Sequence, residues 1–175
     1  MEHTPHDVQL LSLGKGILKF DRFDVDGLPT GLVDIGNAPT FNLTITVDKL
    51  EHLSSREGVA TMDDQVIRSR KMEGDFELDE LGRENLRLWL MGKIGSFGIK
   101  PMTAGAIQGM IDFIGTSDVG PRYHFQGWVV NLFPKGSLGL ISTDWGKMGF
   151  DFTILQDSVG HPDSPWGDLT LLGQS

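Results

Sequence analysis

Two segments between residues 41 and 79 alternate in polarity with a period of two, a spacing that fits half-buried strands and not helices. In the first, Phe41, Leu43, Ile45 and Val47 are apolar, while Asn42, Thr44, Thr46 and Asp48 are polar. In the second, Val66, Met72, Phe76 and Leu78 fall on one side and Ser69, Lys71, Glu73, Asp75 and Glu77 on the other, with Arg68 and Arg70 interrupting the apolar set. The two arms predict a hairpin with Phe41, Leu43, Ile45, Val47, Phe76 and Leu78 turned to the core, because a one-residue change of register would put that whole set in water. Between the arms, the run from Leu50, Glu51, His52, Leu53, Ser54, Ser55, Arg56, Glu57 and Gly58 to Met62, Asp63 and Asp64 predicts a polar loop too long for a hairpin turn. Loops of that length in a compact domain are usually functional or disordered. Beyond the second arm, Asp79 is the expected N-cap of a helix over 80–91, with Leu81, Leu86, Trp89 and Leu90 at helical spacing and Gly92 at its stop.

The remainder of the chain reads the same way. Residues 16–23 form an expected first strand closed by Asp26-Gly27, a strong turn signal, and 28–39 a Gly- and Pro-punctuated connector. Residues 106–114 alternate, with Ile107, Ile111 and Phe113 on one face and Gln108, Met110 and Asp112 on the other. The aromatic and β-branched run 122–133 predicts a strand buried on at least one face, 138–142 a short strand, and 148–154 a last one. The 23 glycines recur between these segments as turns would require. The expectation is a mainly β protein: a β-sandwich or barrel of about six to seven strands with one flanking α-helix and a long inter-strand loop. A single domain over 13–157 is expected, between an N-terminal arm over 1–12 and a mobile C-terminal arm over 158–175. Long strand edges invite pairing with another chain, so assembly is expected to protect them.

Composition narrows the chemistry. A net charge of -9 argues against tight nucleic-acid binding, which needs clustered Lys and Arg to neutralise phosphate. With no cysteine, neither a disulfide nor a thiolate metal site holds the fold. No apolar run approaches the ~20 residues that span a bilayer, and the start of the chain lacks the basic-then-apolar plan of a signal peptide, so membrane insertion and export are not expected. The histidines (His3, His6, His52, His124, His161) are scattered, which fits surface positions better than metal ligation. The carboxylates of 73–80 lie on a polar strand face and at a helix start, where solvation and capping account for them. Ser54-Ser55 near His52 has neither a G-x-S-x-G elbow nor an acidic third member. Gly14-Lys15-Gly16 lacks the spacing of a phosphate loop. No enzyme and no cofactor are expected.

Four segments carry a resemblance. LGKGILKFDRF followed by Asp26-Gly27 and Thr30-Gly31, the run IGNAPTFNLTITVDKLEHLSSREG, the stretch FELDELGRENLRLWLMG, and STDWGKMGFDFTILQD are similar to the tail tube protein, or major tail protein, of long-tailed bacteriophages with non-contractile tails. The resemblance covers most of 13–157. It implies a structural, self-assembling virion subunit that forms stacked rings, typically hexamers, around the conduit through which the genome leaves. It also implies tape measure, tail tip and terminator proteins as partners, viral DNA that passes without tight binding, and a location in the virion tail after assembly in the host cytoplasm. In such tubes the loop over 50–64 would reach the adjacent ring. The polar set Asn42, Thr44, Thr46, Asp48, Ser69, Lys71, Glu73, Asp75, Glu77, Gln108 and Asp112 would face the lumen. Six copies would then carry about -54 per ring, a charge that repels phosphate, with Lys71 offsetting part of it. No additional immunoglobulin-like decoration is expected in a chain this short. Two other readings remain open at this point: the tube of a related contractile or secretion machine, and a small β-sandwich glycan-binding module using Trp128, Trp145 or Trp166.

Overall fold

The computed structural model describes residues 11, 13–56 and 58–174. The expected N-terminal arm, apart from Leu11, and Glu57 of the expected loop lie outside the described residues. In chain order the elements are β1 (Gly16–Arg22), β2 (Val33–Asp34), β3 (Thr40–Ser54), β4 (Thr61–Leu78), α1 (Arg83–Trp89), β5 (Lys93–Gly95) and β6 (Gly98–Lys100). There follow β7 (Ile107–Gly115), β8 (Pro121–Lys135), β9 (Met148–Leu155) and β10 (Asp168–Gln174). Eight strands form one antiparallel sheet in the order β2-β1-β7-β8-β9-β4-β3, with β10 also paired to β8, and β5 pairs with β6 apart from it.

This sheet folds over on itself and does not close into a barrel. Phe41 on β3 stacks on Phe113 of β7 at 5.2 Å between ring centroids, although β3 and β7 are four places apart in the sheet. In a flat sheet that separation would be about 19 Å. The bend lies in β8, where the register with β7 shifts between Gly109 and Ile111 and the other edge of β8 changes neighbour from β10 to β9. A bulge of this kind sharpens the local twist and lets one strand serve both leaves of a sandwich. Between the leaves lie Leu18, Phe20, Phe76, Leu78, Ile107, Ile111, Phe125, Val130, Leu132, Phe150, Phe152 and Ile154, all buried, and Leu88 of α1 adds the flanking helix to this core. The mainly β sandwich with one flanking helix is therefore as expected.

Several details differ from the sequence expectation. The long loop is mostly strand: Leu50 to Ser54 continue β3, Met62 to Asp64 belong to β4, and of the described residues only 55–56 and 58–60 lie between the two strands. Alternation is a signature of one-sided burial, and it fails here because both faces of this stretch are in solvent. Register shifts at Asp48/Lys49 and His52/Leu53 disturb it further, pairing Lys49 with Ile67 and Leu50 with Val66, so that Val66 no longer shares a face with Met72. Of the apolar set on β3, Phe41 packs against the core, but Leu43, Ile45 and Val47 are 40%, 68% and 39% exposed. Residues 138–142 form no strand. In the expected C-terminal arm, β10 is paired with β8 from Asp168↔Gln126 to Leu171↔Tyr123.

The helix is shorter than expected, and Gly82 replaces Asp79 at its N-cap. Asp79 instead accepts a hydrogen bond from Asn37 Nδ2 at 2.6 Å. The buried Asn85 donates to Ile35 O at 2.8 Å and Glu80 O at 3.0 Å, tying α1 to the connector before β3. At the other end the left-handed residue is Met91, with φ 46°; its N–H donates to Leu88 O and that of Gly92 to Arg87 O. That double bond is a Schellman closure. Gly92 answers a different need, since a Cβ there would stand 2.6 Å from Ile99 Cγ2.

Candidate functional site

β4 pairs with β9 only from Met72 to Leu78, and beyond Met72 it has β3 alone as a partner. The result is a two-stranded ribbon that leaves the sandwich and reaches about 30 Å from Thr46 to Ser54. Its side chains are exposed on both faces, including Ile45, Leu50, Leu53, Met62, Val66 and Ile67, each more than half exposed. An isolated hairpin is marginal in water, and contiguous exposed apolar surface marks an interaction site. The expected ring-stacking residues among the described ones fall on this ribbon or its turn: Leu50, Glu51, His52, Leu53 and Ser54 on β3, Met62, Asp63 and Asp64 on β4, and Ser55, Arg56 and Gly58 between. His52 Nδ1 meets Asp63 Oδ1 at 2.5 Å, Gln65 Nε2 donates to Glu51 Oε1 at 3.2 Å, and Arg68 lies 3.7 Å from Asp48. These exposed contacts hold the two strands in register more than they stabilise the fold.

The polar set of the arms shares one face. Asn42 pairs with Asp75, Thr44 with Glu73, Thr46 with Lys71 and Asp48 with Ser69, while Glu77 faces Thr40. The row through Thr44 and Glu73 continues across the sheet through Thr153 and Asn131 to Gln108, whose Nε2 donates to Asn131 Oδ1 at 3.2 Å. Thr153 was legible in the alternation of its strand. Asn131, set between buried Val130 and Leu132, was hidden in a run read as hydrophobic. Asp112 departs from its expected solvated position: it is 4% exposed and accepts from Gln126 Nε2 and meets His124 Nε2, both at 3.0 Å.

Charge on this face is balanced differently from the expectation. Lys71 forms no ion pair among the described residues. Lys135 Nζ instead lies 3.0 Å from Asp151 Oδ1 and 3.9 Å from Asp75 Oδ2, and Lys147 Nζ lies 4.0 Å from Glu77. The hydrogen bond with Asp151 holds the Lys135 ammonium above its ordinary range, and the neighbouring carboxylates add to the effect. A shallow hollow on this face is lined by Thr44, Glu73, Asp75, Asp151 and Thr153.

Trp128 is committed inside the chain. Its ring stacks on His161 at 3.9 Å with 5° between planes, and its Nε1 donates to Ser164 O at 2.8 Å. Trp166 packs partly buried against the core. Trp145 is the member of the expected glycan-stacking trio that stands free, at 92% exposed. Under the stack, Asp157 accepts from Gly160 N–H and pairs with His161, and these contacts, the backbone bond first, hold its carboxyl below the ordinary range. The folded state then binds fewer protons than the unfolded chain in acid, so this contribution to stability is present above the ordinary carboxylate pKa of 3.8 and is lost as pH falls below it. Asp157→Asn is expected to flatten that part of the acid unfolding profile, as followed by tryptophan fluorescence against pH. A profile identical to that of the unmodified chain would contradict it.

Among the described residues there is no cluster of three metal-ligating side chains and no helix long and apolar enough to cross a membrane. What fold and surfaces define is a mainly β sandwich with one flanking helix, a projecting ribbon and a wide polar sheet face. A family model described as "Protein of unknown function UCP028589" matches residues 11–112, and the chain belongs to that family. No curated protein matches the sequence. Among solved structures, one described as "Tail of empty GTA particle computed with helical refinement, C6 symmetry" is similar at 11% identity and a TM-score of 0.41, over 90% of this chain and 96% of that one.

Proposed function

We propose that this chain is a structural subunit of a phage tail tube of the long-tailed, non-contractile kind, with no catalytic role. Copies assemble into stacked rings, six to a ring, around a conduit for genome delivery. The observation that carries the reading is the β3–β4 ribbon, which exposes apolar side chains on both faces with no partner inside the subunit. The sequence resemblance over 13–157 supplies the kind of assembly. Tape measure, tail tip and terminator proteins are the partners this role requires, and the virion tail is its location. Negative-stain electron microscopy of concentrated purified protein is the test, with long hollow tubes expected and a persistent monomer overturning the proposal.

In this reading the row from Thr44 to Gln108 and its neighbours on β3 and β4 line the conduit, where surplus carboxylates repel phosphate. Changing Glu73, Asp75 and Glu77 together to lysine removes Glu77 from Lys147 and Asp75 from Lys135, which keeps Asp151, and exposed pairs are worth only about 0–1 kcal/mol each, so the chain is expected to fold. Tubes of that variant are expected to retain added DNA at low salt and release it as salt rises, because screening shortens the attraction to about 8 Å near physiological ionic strength. Release at low salt equal to that of unmodified tubes would remove these strands from the wall.

A further inference from the structure

β1 ends at Arg22, which pairs with Gly109 of β7, and α1 carries Glu84 and Arg87 one turn apart. Arg87 Nη1 donates to Glu84 Oε2 at 3.0 Å. The Arg22 guanidinium lies within electrostatic reach of both. Burial first, and then the Arg87 guanidinium, hold it below its ordinary range, while Glu84 acts in the opposite direction. Two cations thus share one carboxylate. The carboxylates nearest to Arg22 along the chain are turned elsewhere: Asp21 Oδ1 accepts from the N–H groups of Thr30 and Gly31, and Asp24 Oδ1 from those of Asp26 and Leu28. Arg22 Nη1 and Arg87 Nε are both buried and have no hydrogen-bond partner among the described residues.

A lysine in such a place can shed its proton, but a guanidinium stays charged at any ordinary pH. Repulsion between the two guanidiniums therefore persists until a counter-charge relieves it. Their unused N–H groups define its chemistry, because the planar fork of a guanidinium matches the oxygens of a carboxylate or a phosphate. We infer that Arg22 and Arg87 together bind a small oxyanion, a phosphate or a carboxylate, which accepts hydrogen bonds from Arg22 Nη1 and Arg87 Nε. Glu84 keeps Arg87 Nη1, and the oxyanion supplies the second negative charge. The side chains of Arg87 and Glu84 are 31% and 62% exposed, so an ion reaches the pair from solvent. Bound there, it ties the end of β1 to α1, a helix that Asn85 already fastens to the connector before β3. The site is separate from the ribbon and does not depend on assembly.

Thermal unfolding of the full chain in inorganic phosphate, against sodium chloride of equal ionic strength, tests the site. Phosphate is expected to raise the unfolding midpoint along a saturable curve, as a ligand of the folded state does. Arg22→Gln is expected to raise the half-saturating concentration by about tenfold or more, the effect of losing one charge-assisted hydrogen bond. Arg87→Gln is expected to do the same, and it carries the test if Arg22→Gln does not fold. Phosphate also stabilises proteins by exclusion from their surface, an effect that does not saturate and does not depend on one pair of side chains, so the variants separate the two. A saturable rise with acetate and none with phosphate upholds the site and makes its ligand a carboxylate. No saturable rise with either anion, or the same rise in the variants as in the unmodified chain, would overturn the inference.

Discussion

Excising Asp48 to Ser69 and joining Val47 to Arg70 through an Asn-Gly turn is expected to leave a folded chain that does not form the proposed tubes. Val47 and Arg70 are register partners, so a two-residue turn closes the shortened hairpin without shifting the pairing below it. None of the described residues removed belongs to the buried core or packs against it. Thermal unfolding of the variant is therefore expected within a few degrees of the full chain, while electron microscopy at high concentration shows no tubes. The deletion removes all the exposed apolar surface beyond Val47, and with it the groups that have most to gain from a neighbour. Tubes of normal length from this variant would mean that assembly runs through another surface. Loss of the fold would mean that the ribbon organises the sandwich.

The second large effect is expected in the core. Phe152 is 1% exposed and stacks on Phe41 at 5.7 Å while lying 6.2 Å from Phe76, so one ring of β9 bears on both β3 and β4. Phe152→Ala is expected to destabilise the subunit by about 3–5 kcal/mol, through lost transfer energy and the cavity left behind. Against a total stability of about 5–15 kcal/mol that is a large share, and chemical denaturation measures it directly. Gly74 supplies a coupled test. A Cβ at that position would stand 2.3 Å from Phe152 Cζ and 2.2 Å from Asn42 O, so Gly74→Ala alone is expected to cost about 1–3 kcal/mol or somewhat more. Combined with Phe152→Ala, the methyl group gains room on the ring side and still meets the carbonyl. The double variant is therefore expected to lose less than the two single losses added together. Strict additivity would show that the backbone contact alone excludes a side chain at Gly74.

How far the sequence told these features depends on what each residue faces. Phe41, Phe76 and Leu78 lie where one face is buried, and there the period of two located strand, register and core together. From Lys49 outward nothing is buried on either side, no force keeps a period, and a strand looked like a loop. The polar partners Asn42 with Asp75 and Thr44 with Glu73 were legible as a shared face because their opposite face is constrained. Asp112 kept that alternation and was misjudged as solvated, because its burial comes from His124 and Gln126 on a strand the local pattern does not mention. β10 was missed because Leu169, Leu171 and Leu172 are broken from the preceding strand by glycines and prolines, and its partner β8 lies far away in the sequence. Helix ends were misplaced by a few residues where capping ran through backbone contacts instead of the side chains that advertise it.

The ribbon also has a mechanical meaning. The sandwich resists bending as a thick, doubly layered beam, whereas two strands joined by a single ladder are thin and yield readily about their flat axis. Within that ladder, the register shifts at Asp48/Lys49 and His52/Leu53 interrupt the regular hydrogen bonding, and a force applied at the tip concentrates its strain there. The subunit is thus a stiff body carrying a compliant lever with two built-in joints. In the proposed assembly, neighbours tied together through such levers can tilt against one another while each sandwich keeps its shape.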